Sequence, residues 1–325
     1  MIKLLHSDLK ERPMRRTTQE IFDKHEIRKT AEQKQSFRDY LLDYAHSQGY
    51  EAKVERAGKK AHNVIVGDPS TAKVVYTAHY DTCAVMPIPN LITPRNVGLY
   101  LLYQLVLSIF IYIIPFSIMI GSFHVFNITG SNALFLLLLL GGYALVLAVT
   151  YLMMAGPANK HTANDNTSGV TTLIDIMTDM PKELRGDVAY IFFDLEELGL
   201  KGSKGYAARH KTLKKKMLVL NFDCVSDGQH VLFAVKKKAN DLADKIAEAF
   251  PPSNKYSVTV ATKGVFYPSD QMCFDRGIAV SVLNKTKRGL MYMNKIHTKR
   301  DTVYDEENIE FLKNGAIEFV RILSK

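Results

Sequence analysis

Between residues 96 and 159 the chain has no Lys, Arg, Asp or Glu, although charged residues make up 23% of its 325 positions. A gap of that length excludes an ordinary solvated surface there. It marks a membrane-like insert in an otherwise charge-rich chain. Cysteine is scarce as well. Cys83, Cys224 and Cys273 are an odd, scattered set with no pair at metal-finger spacing. That excludes a zinc finger or a disulfide framework and predicts reduced thiols in a cytoplasmic compartment. Residues 1–8 lack an apolar core long enough for a signal peptide. There is no internal repeat and no low-complexity tail. The net charge is +9, with basic clusters at 214–216, 236–238, 285–288 and 299–300. No aromatic interleaving or binding motif accompanies them, so no nucleic-acid partner is expected. Attraction to anionic headgroups, or simple solvation, accounts for them.

Within the insert, residues 97–120 and 132–155 are each about two dozen residues long and strongly apolar. At about 1.5 Å rise per residue, each reaches across a hydrocarbon core about 30 Å thick. Pro115 is tolerable in such a helix, and residues 123–130 are the expected connection. The alternative is a pair of buried helices in a large soluble core, but such helices rarely lack charge over two whole runs. Arg95 and Lys160 flank the outer ends while the connection carries no basic residue. The positive-inside bias therefore predicts an integral membrane protein with two spans, its soluble part cytoplasmic and its connection outside. Residues 1–95 and 156–325 should form one domain, interrupted by a transmembrane hairpin over 96–155 that contacts lipid through 97–120 and 132–155.

The remainder alternates strand-like and helix-like segments. A polar, helix-prone region covers about 17–48. Strands are expected at about 51–55, 63–66, 73–78, 188–193, 217–222, near 231 and at 278–283. Helices are expected at about 167–180, 205–210, 240–250 and 305–323, with a short one after Asp270. This order predicts an α/β fold, with a mixed, largely parallel central sheet and helices on both faces. The run Val188-Ala-Tyr-Ile-Phe-Phe is apolar throughout, as a strand covered on both sides requires. It leads into Glu196 and Glu197, and then into the turn glycines Gly199 and Gly202.

Strand ends in such sheets carry active sites, and the ends here carry donors. His79 and Asp81, two apart on one strand, share a side. Asp165, Glu197, Asp223 and His297 each lie at the end of an expected element. Imidazole and carboxylate donors without thiolate suit Zn²⁺ in an open, catalytic site. Five donors (His79, Asp165, Glu197, Asp223 and His297) are too many for one tetrahedral ion that keeps a water. They suit two Zn²⁺ ions sharing a carboxylate, and with a bridging hydroxide the charges balance.

In this order, His79-Tyr-Asp81, Asn164-Asp-Asn-Thr-Ser-Gly169, Phe193-Asp-Leu-Glu-Glu-Leu-Gly-Leu-Lys-Gly-Ser203, Asn221-Phe-Asp223, Ser269-Asp270 and His297-Thr-Lys-Arg-Asp301 resemble the motifs of metallopeptidase family 28, the co-catalytic dizinc aminopeptidases. The resemblance runs from about residue 60 to the end, except across the hairpin. It implies one zinc on His79 and Asp223, the other on Glu197 and His297, and Asp165 bridging them. Glu196 is then the general base toward a water between the ions, and Asp81 orients His79. Tyr267, with Asp270 beside it, is a candidate on the substrate and oxyanion side. A cis peptide is implied between Asp165 and Asn166. The implied activity is hydrolysis of peptide bonds, with an aminopeptidase expected. A carboxypeptidase or glutaminyl cyclase of the same fold is the alternative, as is a non-catalytic membrane scaffold. The full ligand set counts against a cyclase, expected to work with a single zinc, and against a relative that has lost catalysis. Two helices without intramembrane charge make a poor transport path.

Overall fold

The computed structural model describes residues 14–325; residues 1–8, read above for a signal peptide, lie outside that range. Two helices, α1 (Arg16–His25) and α2 (Ala31–Ser47), open the described chain where one helical region was expected. Thr30 causes the break. Its side chain accepts from the Gln33 backbone N–H while the Gln33 side chain accepts from that of Thr30, a closed capping box that starts a new helix.

One sheet follows, built from β1 (Ala52–Ala57), β2 (Ala61–Val66), β3 (Val74–His79), β4 (Val188–Phe193), β5 (Leu218–Phe222), β6 (His230–Val235), β7 (Ser257–Ala261), β8 (Arg276–Lys285) and the short β9 (Met291–Tyr292). Its order is β1-β2-β4-β3-β5-β8-β6-β7, with β9 on β8. The centre, β4-β3-β5-β8, is parallel. The flanks bring in antiparallel pairs at β1-β2, β2-β4, β6-β8 and β8-β9. β7 and β9 were not foreseen. β7 is a half-exposed edge strand whose Val258–Val260 alternation is only two apolar residues long, and β9 has only two residues.

Alternate residues of the central strands enter opposite layers. Val188, Tyr190 and Phe192 pack with α2, α5 (Gly169–Asp179) and α9 (Glu306–Ser324). Ala189, Ile191 and Phe193 pack on the other face with Phe274 and with Tyr206 of α6 (Lys201–Arg209). Full burial of one such large side chain contributes about 1.5–3 kcal/mol, and its presence on both faces explains why the run is apolar throughout. The short α7 (Leu213–Lys216) and α8 (Ala243–Ala249) complete the layers. The α/β fold with a mixed sheet and helices on both faces is as expected.

The insert is a hairpin of α3 (Val97–Thr129) and α4 (Asn132–Ala155). The first helix runs past the expected 97–120, through nearly all of the expected connection. Nothing in 121–129 breaks it, and it stops only at Gly130, whose φ of 65° caps it. Its 33 residues span about 50 Å. Close approach of the pair depends on Gly142, where a Cβ would meet Met119 Cγ at 2.5 Å and the Pro115 carbonyl oxygen at 3.1 Å. Tyr112 and Thr150 hydroxyls share a 2.9 Å hydrogen bond. Outward side chains such as Phe110, Ile120 and Leu137 remain exposed. Both helices are long and apolar enough to cross a membrane.

The hairpin's two feet stand on the loop that follows β3, and the first also touches the loop after β7. At the start of α3, the Gln104 side-chain amide donates to Asn90 Oδ1 at 2.8 Å, Arg95 donates to the Lys263 carbonyl at 3.1 Å, and Tyr100 packs on Phe266. After α4, the Val85 N–H donates to the Pro157 carbonyl at 2.9 Å and the Asn159 N–H to the Cys83 carbonyl at 3.1 Å.

Candidate metal centre

Because β4, β3 and β5 are parallel neighbours, their C-terminal ends share one edge of the sheet. That edge presents Glu196 and Glu197 after β4, His79 at the end of β3 and Asp223 after β5. Asp165 arrives from the turn before α5, and His297 from the loop after β9. Asp165 lies between the two imidazoles. Its Oδ1 is 3.2 Å from His79 Nε2 and its Oδ2 is 3.0 Å from His297 Nε2. His79 Nε2 is also 3.8 Å from Asp223 Oδ1, and His297 Nε2 is 3.3 Å from Glu197 Oε2. The peptide between Asp165 and Asn166 is cis, as the motif implied.

Backbone hydrogen bonds hold these groups in place. The Asp301 carboxylate accepts from the Asn164 and Asp165 N–H groups, both at 2.9 Å. Asn164 Oδ1 accepts from Ser226 and Asp227, and Asn166 Oδ1 from Gly169 and Cys224, so the Asp165 turn is sewn to the Asp223 loop. Gly169 is required by closeness alone, since a Cβ there would lie 2.3 Å from the Phe222 carbonyl oxygen. The Asp81 carboxylate accepts from the Glu196 N–H at 2.9 Å and the Glu197 N–H at 3.2 Å, and its Oδ1 lies 3.5 Å from His79 Nδ1. One side chain thus places both glutamates and faces the back of an imidazole.

Among the described residues, four non-glycine residues take left-handed backbone, at φ near 60°, and all ring this edge: Leu195, Leu200, Cys224 and His297.

The electrostatics ask for a cation. Burial drives Glu196 well above the usual carboxylate range, and it carries Glu197 up to about 8, with Asp165 adding to the push and His297 opposing it. Burial also raises Asp270 to about 7. For His297, burial acts downward but Glu197 and Asp165 outweigh it and lift the imidazole to about 9. For Asp165, the bonds from His297 and His79 outweigh burial and hold the carboxyl well below its usual range. Glu197 Oε1 is buried with no hydrogen-bond partner. Donor atoms of His79, Asp165 and Asp223 lie within 4.8 Å of one another, as do those of Asp165, Glu197, His297 and Cys83. Hard and borderline donors with one orphaned carboxylate oxygen fit a divalent cation such as zinc.

The five expected donors therefore converge, with Glu196 and Asp81 beside them. Tyr267 is adjacent, but its buried hydroxyl donates to the Asp223 carbonyl at 3.0 Å, which ties it to that loop. Asp270 is fully buried. Sequence reasoning gave Asp301 no role and passed over Arg28 and Cys83. Arg28 is fully buried and donates to the carbonyls of Tyr80, His25 and Glu26 and to the Thr167 hydroxyl. Burial lowers it to about 10, against the pull of Asp81 and Glu26. A cavity of about 610 Å³ adjoins the centre, lined by Ile27, Lys29, Met154, Lys160, Leu195 and Glu197 among others, so it runs from the glutamate turn to the foot of α4.

Residues 149–319, more than half of the chain, match the sequence profile of Peptidase family M28, and the chain belongs to that family. The match begins within α4, leaving His79 and Asp81 upstream of it. No curated protein matches by sequence. Solved structures do match, several of them over nearly their whole length. The glutaminyl cyclase of Porphyromonas gingivalis superposes with a TM-score of 0.57 at 15% identity, over 94% of this chain and 95% of that one. A leucine aminopeptidase precursor from Bacteroides thetaiotaomicron gives 0.55 at 13% identity, over 93% of each chain. A Zn-dependent exopeptidase from Parabacteroides distasonis gives 0.54 at 15% identity, over 93% of this chain and 97% of that one. At these identities the likeness is one of fold.

Proposed function

We propose that the chain is a membrane-anchored aminopeptidase that works with two zinc ions. The observation that carries this reading is Asp165, which turns one carboxylate oxygen toward each of two imidazoles. His79 and Asp223 would hold one ion, Glu197 and His297 the other, and Asp165 would serve both. Bound zinc supplies Lewis-acid polarisation of the scissile carbonyl and lowers the pKa of water held at the site. Glu196 accepts the proton of the attacking water and returns it to the leaving amine as the C–N bond breaks. Asp81 fixes the turn that aims Glu196 and orients His79. Family membership and the likeness to a Zn-dependent exopeptidase and a leucine aminopeptidase precursor support this choice.

The peptidase domain is then split around a hairpin over 96–155, with the domain cytoplasmic and the Gly130 turn outside. Arg95 and Lys160 at the two feet support that orientation. The cavity between Glu197 and Met154 supports apolar or membrane-proximal peptides as substrates.

The test separates the paired glutamates. Glu196→Gln should keep two zincs per chain by elemental analysis and lose about 10²–10⁴-fold in turnover of an aminoacyl anilide. Glu197→Gln should lose or weaken one zinc, because a neutral amide is a poor ligand. The assignment fails if Glu196→Gln strips a metal while Glu197→Gln leaves both in place. Loss of ammonia from an N-terminal glutamine, without shortening of the peptide, would instead establish the cyclase reading that the Porphyromonas gingivalis likeness raises.

A further inference from the structure

His79 ends β3, and Asp81 and Cys83 follow it in the segment that leaves the strand. The backbone at Cys83 is fixed from both sides. The Thr82 N–H donates to the Arg28 carbonyl at 3.1 Å, the Cys83 carbonyl accepts from the Asn159 N–H at 3.1 Å, and Ala84 bridges Ala158. Cys83 is 2% exposed, and its Sγ lies within 4.8 Å of donor atoms of Asp165, Glu197 and His297. That distance is on the scale set by two metal–ligand bonds of about 2.0–2.3 Å. The other two thiols have partners of their own: Cys224 Sγ donates to Asp223 Oδ1, and Cys273 Sγ lies 3.3 Å from the Ser203 hydroxyl. Glu197 adds a carboxylate oxygen to the same cluster, and its Oε1 is buried with no hydrogen-bond partner, on a side chain 8% exposed.

We propose that the Cys83 thiolate is the fourth protein donor of the metal position formed by Asp165, Glu197 and His297. This inference rests on the metal-centre reading above. On binding, the S–H proton leaves to solvent and a zinc–sulfur bond forms in its place. The two positions then differ in kind. One has four protein donors and is closed. The other, at His79, Asp223 and Asp165, has three and keeps room for water and substrate, as catalytic zinc requires. The thiolate also replaces the hydroxide in the charge balance: four negative protein groups match two divalent ions. The closed position acquires a preference for softer metals and a sensitivity to thiol oxidation that an oxygen and nitrogen shell lacks. Because Asn159 holds the Cys83 carbonyl, the chain leaving the hairpin positions this ligand directly.

Zinc X-ray absorption on the full-length holoenzyme in detergent tests it. The expected spectrum contains a sulfur shell at about 2.3 Å beside the nitrogen and oxygen shell at about 2.0–2.1 Å. Sulfur should amount to about one atom for two zincs, absent from Cys83→Ser and retained in Cys224→Ser. Should Cys83→Ser fail to fold, the Cys224→Ser/Cys273→Ser double variant leaves Cys83 as the one thiol, and the sulfur shell must persist there. Two zincs per chain with only nitrogen and oxygen neighbours overturns the proposal and leaves the dizinc reading standing. A sulfur shell that survives Cys83→Ser also overturns it. A single zinc carrying sulfur supports the ligand and counts against two ions, whereas a chain that takes up no zinc removes both.

Discussion

Asp81→Asn is the smallest change that should disturb the whole centre. Asp81 is 3% exposed, and its carboxylate accepts two backbone N–H groups, those of Glu196 at 2.9 Å and Glu197 at 3.2 Å, one on each oxygen. An amide keeps one acceptor oxygen and replaces the other with NH₂. Whichever way it is turned, one of the two N–H groups faces a donor in a place water does not reach. A buried donor left without its partner costs about 1–3 kcal/mol, and the surviving bond falls from a charge-assisted to a neutral one, losing about 1 kcal/mol more. The sum is roughly 2–4 kcal/mol, enough to lower the melting temperature clearly without abolishing the fold of a domain that is stable by about 5–15 kcal/mol. The same change moves the candidate base and a candidate ligand together and removes the carboxylate behind His79, so metal affinity or turnover should drop about 10–100-fold. Thermal unfolding and zinc titration of wild type and variant in the same detergent read both effects. If Asp81→Asn melts with the wild type and binds zinc equally well, the idea that this carboxylate places both glutamates is wrong.

Gly169→Ala should be worse than ordinary overpacking, about 1–3 kcal/mol, because the new methyl meets the Phe222 carbonyl at 2.3 Å and Asn166 Oδ1 at 2.5 Å; wild-type melting and metal content would refute it. Asp175 concerns pH. Burial lifts its carboxyl to about 7 against Arg15, with Glu306 and Asp179 pushing up and Lys313 pulling down. The folded state therefore keeps a proton that the unfolded chain loses near pH 4, and stability present below about pH 4 is lost as pH rises through about 7. Asp175→Asn should raise the melting temperature more at pH 8 than at pH 5, and equal shifts would remove the assignment. A cysteine at Thr129→Cys, next to the turn of the hairpin, should react with an impermeant maleimide added to intact cells, whereas labelling only after lysis would reverse the proposed topology.

What could be read from the sequence was what neighbours along the chain enforce. The run Val188–Phe193 announced a strand buried on two faces, and the donors at the ends of β3, β4 and β5 could be named because strand ends are where such sheets place chemistry. The far end of α3 could not be placed, since residues 121–129 are compatible with helix or loop and only Gly130 decides. β7 and β9 were missed because a half-exposed edge with two alternating valines and a two-residue strand give too short a pattern. Asp301 was noticed in its motif but received no role, as its partners are backbone N–H groups at Asn164 and Asp165. The same distance in sequence hid the buried pair between Lys34 Nζ and Asp194 Oδ1 at 2.8 Å, which ties α2 to the end of β4.

The left-handed backbone at Leu195, Leu200, Cys224 and His297 bears on how this enzyme can evolve. Each is a conformation that a side chain with a Cβ resists by about 1–2 kcal/mol, and the first three are not candidate ligands. Selection for solubility or heat tolerance alone should collect glycine or asparagine at 195, 200 and 224, where the replacement relaxes the chain. The loops so relaxed are the ones that space Glu196, Glu197 and Asp223, so variants stabilised in this way should fold better and turn over more slowly. Laboratory improvement of the protein therefore has to be scored on catalysis at these positions, and on stability elsewhere.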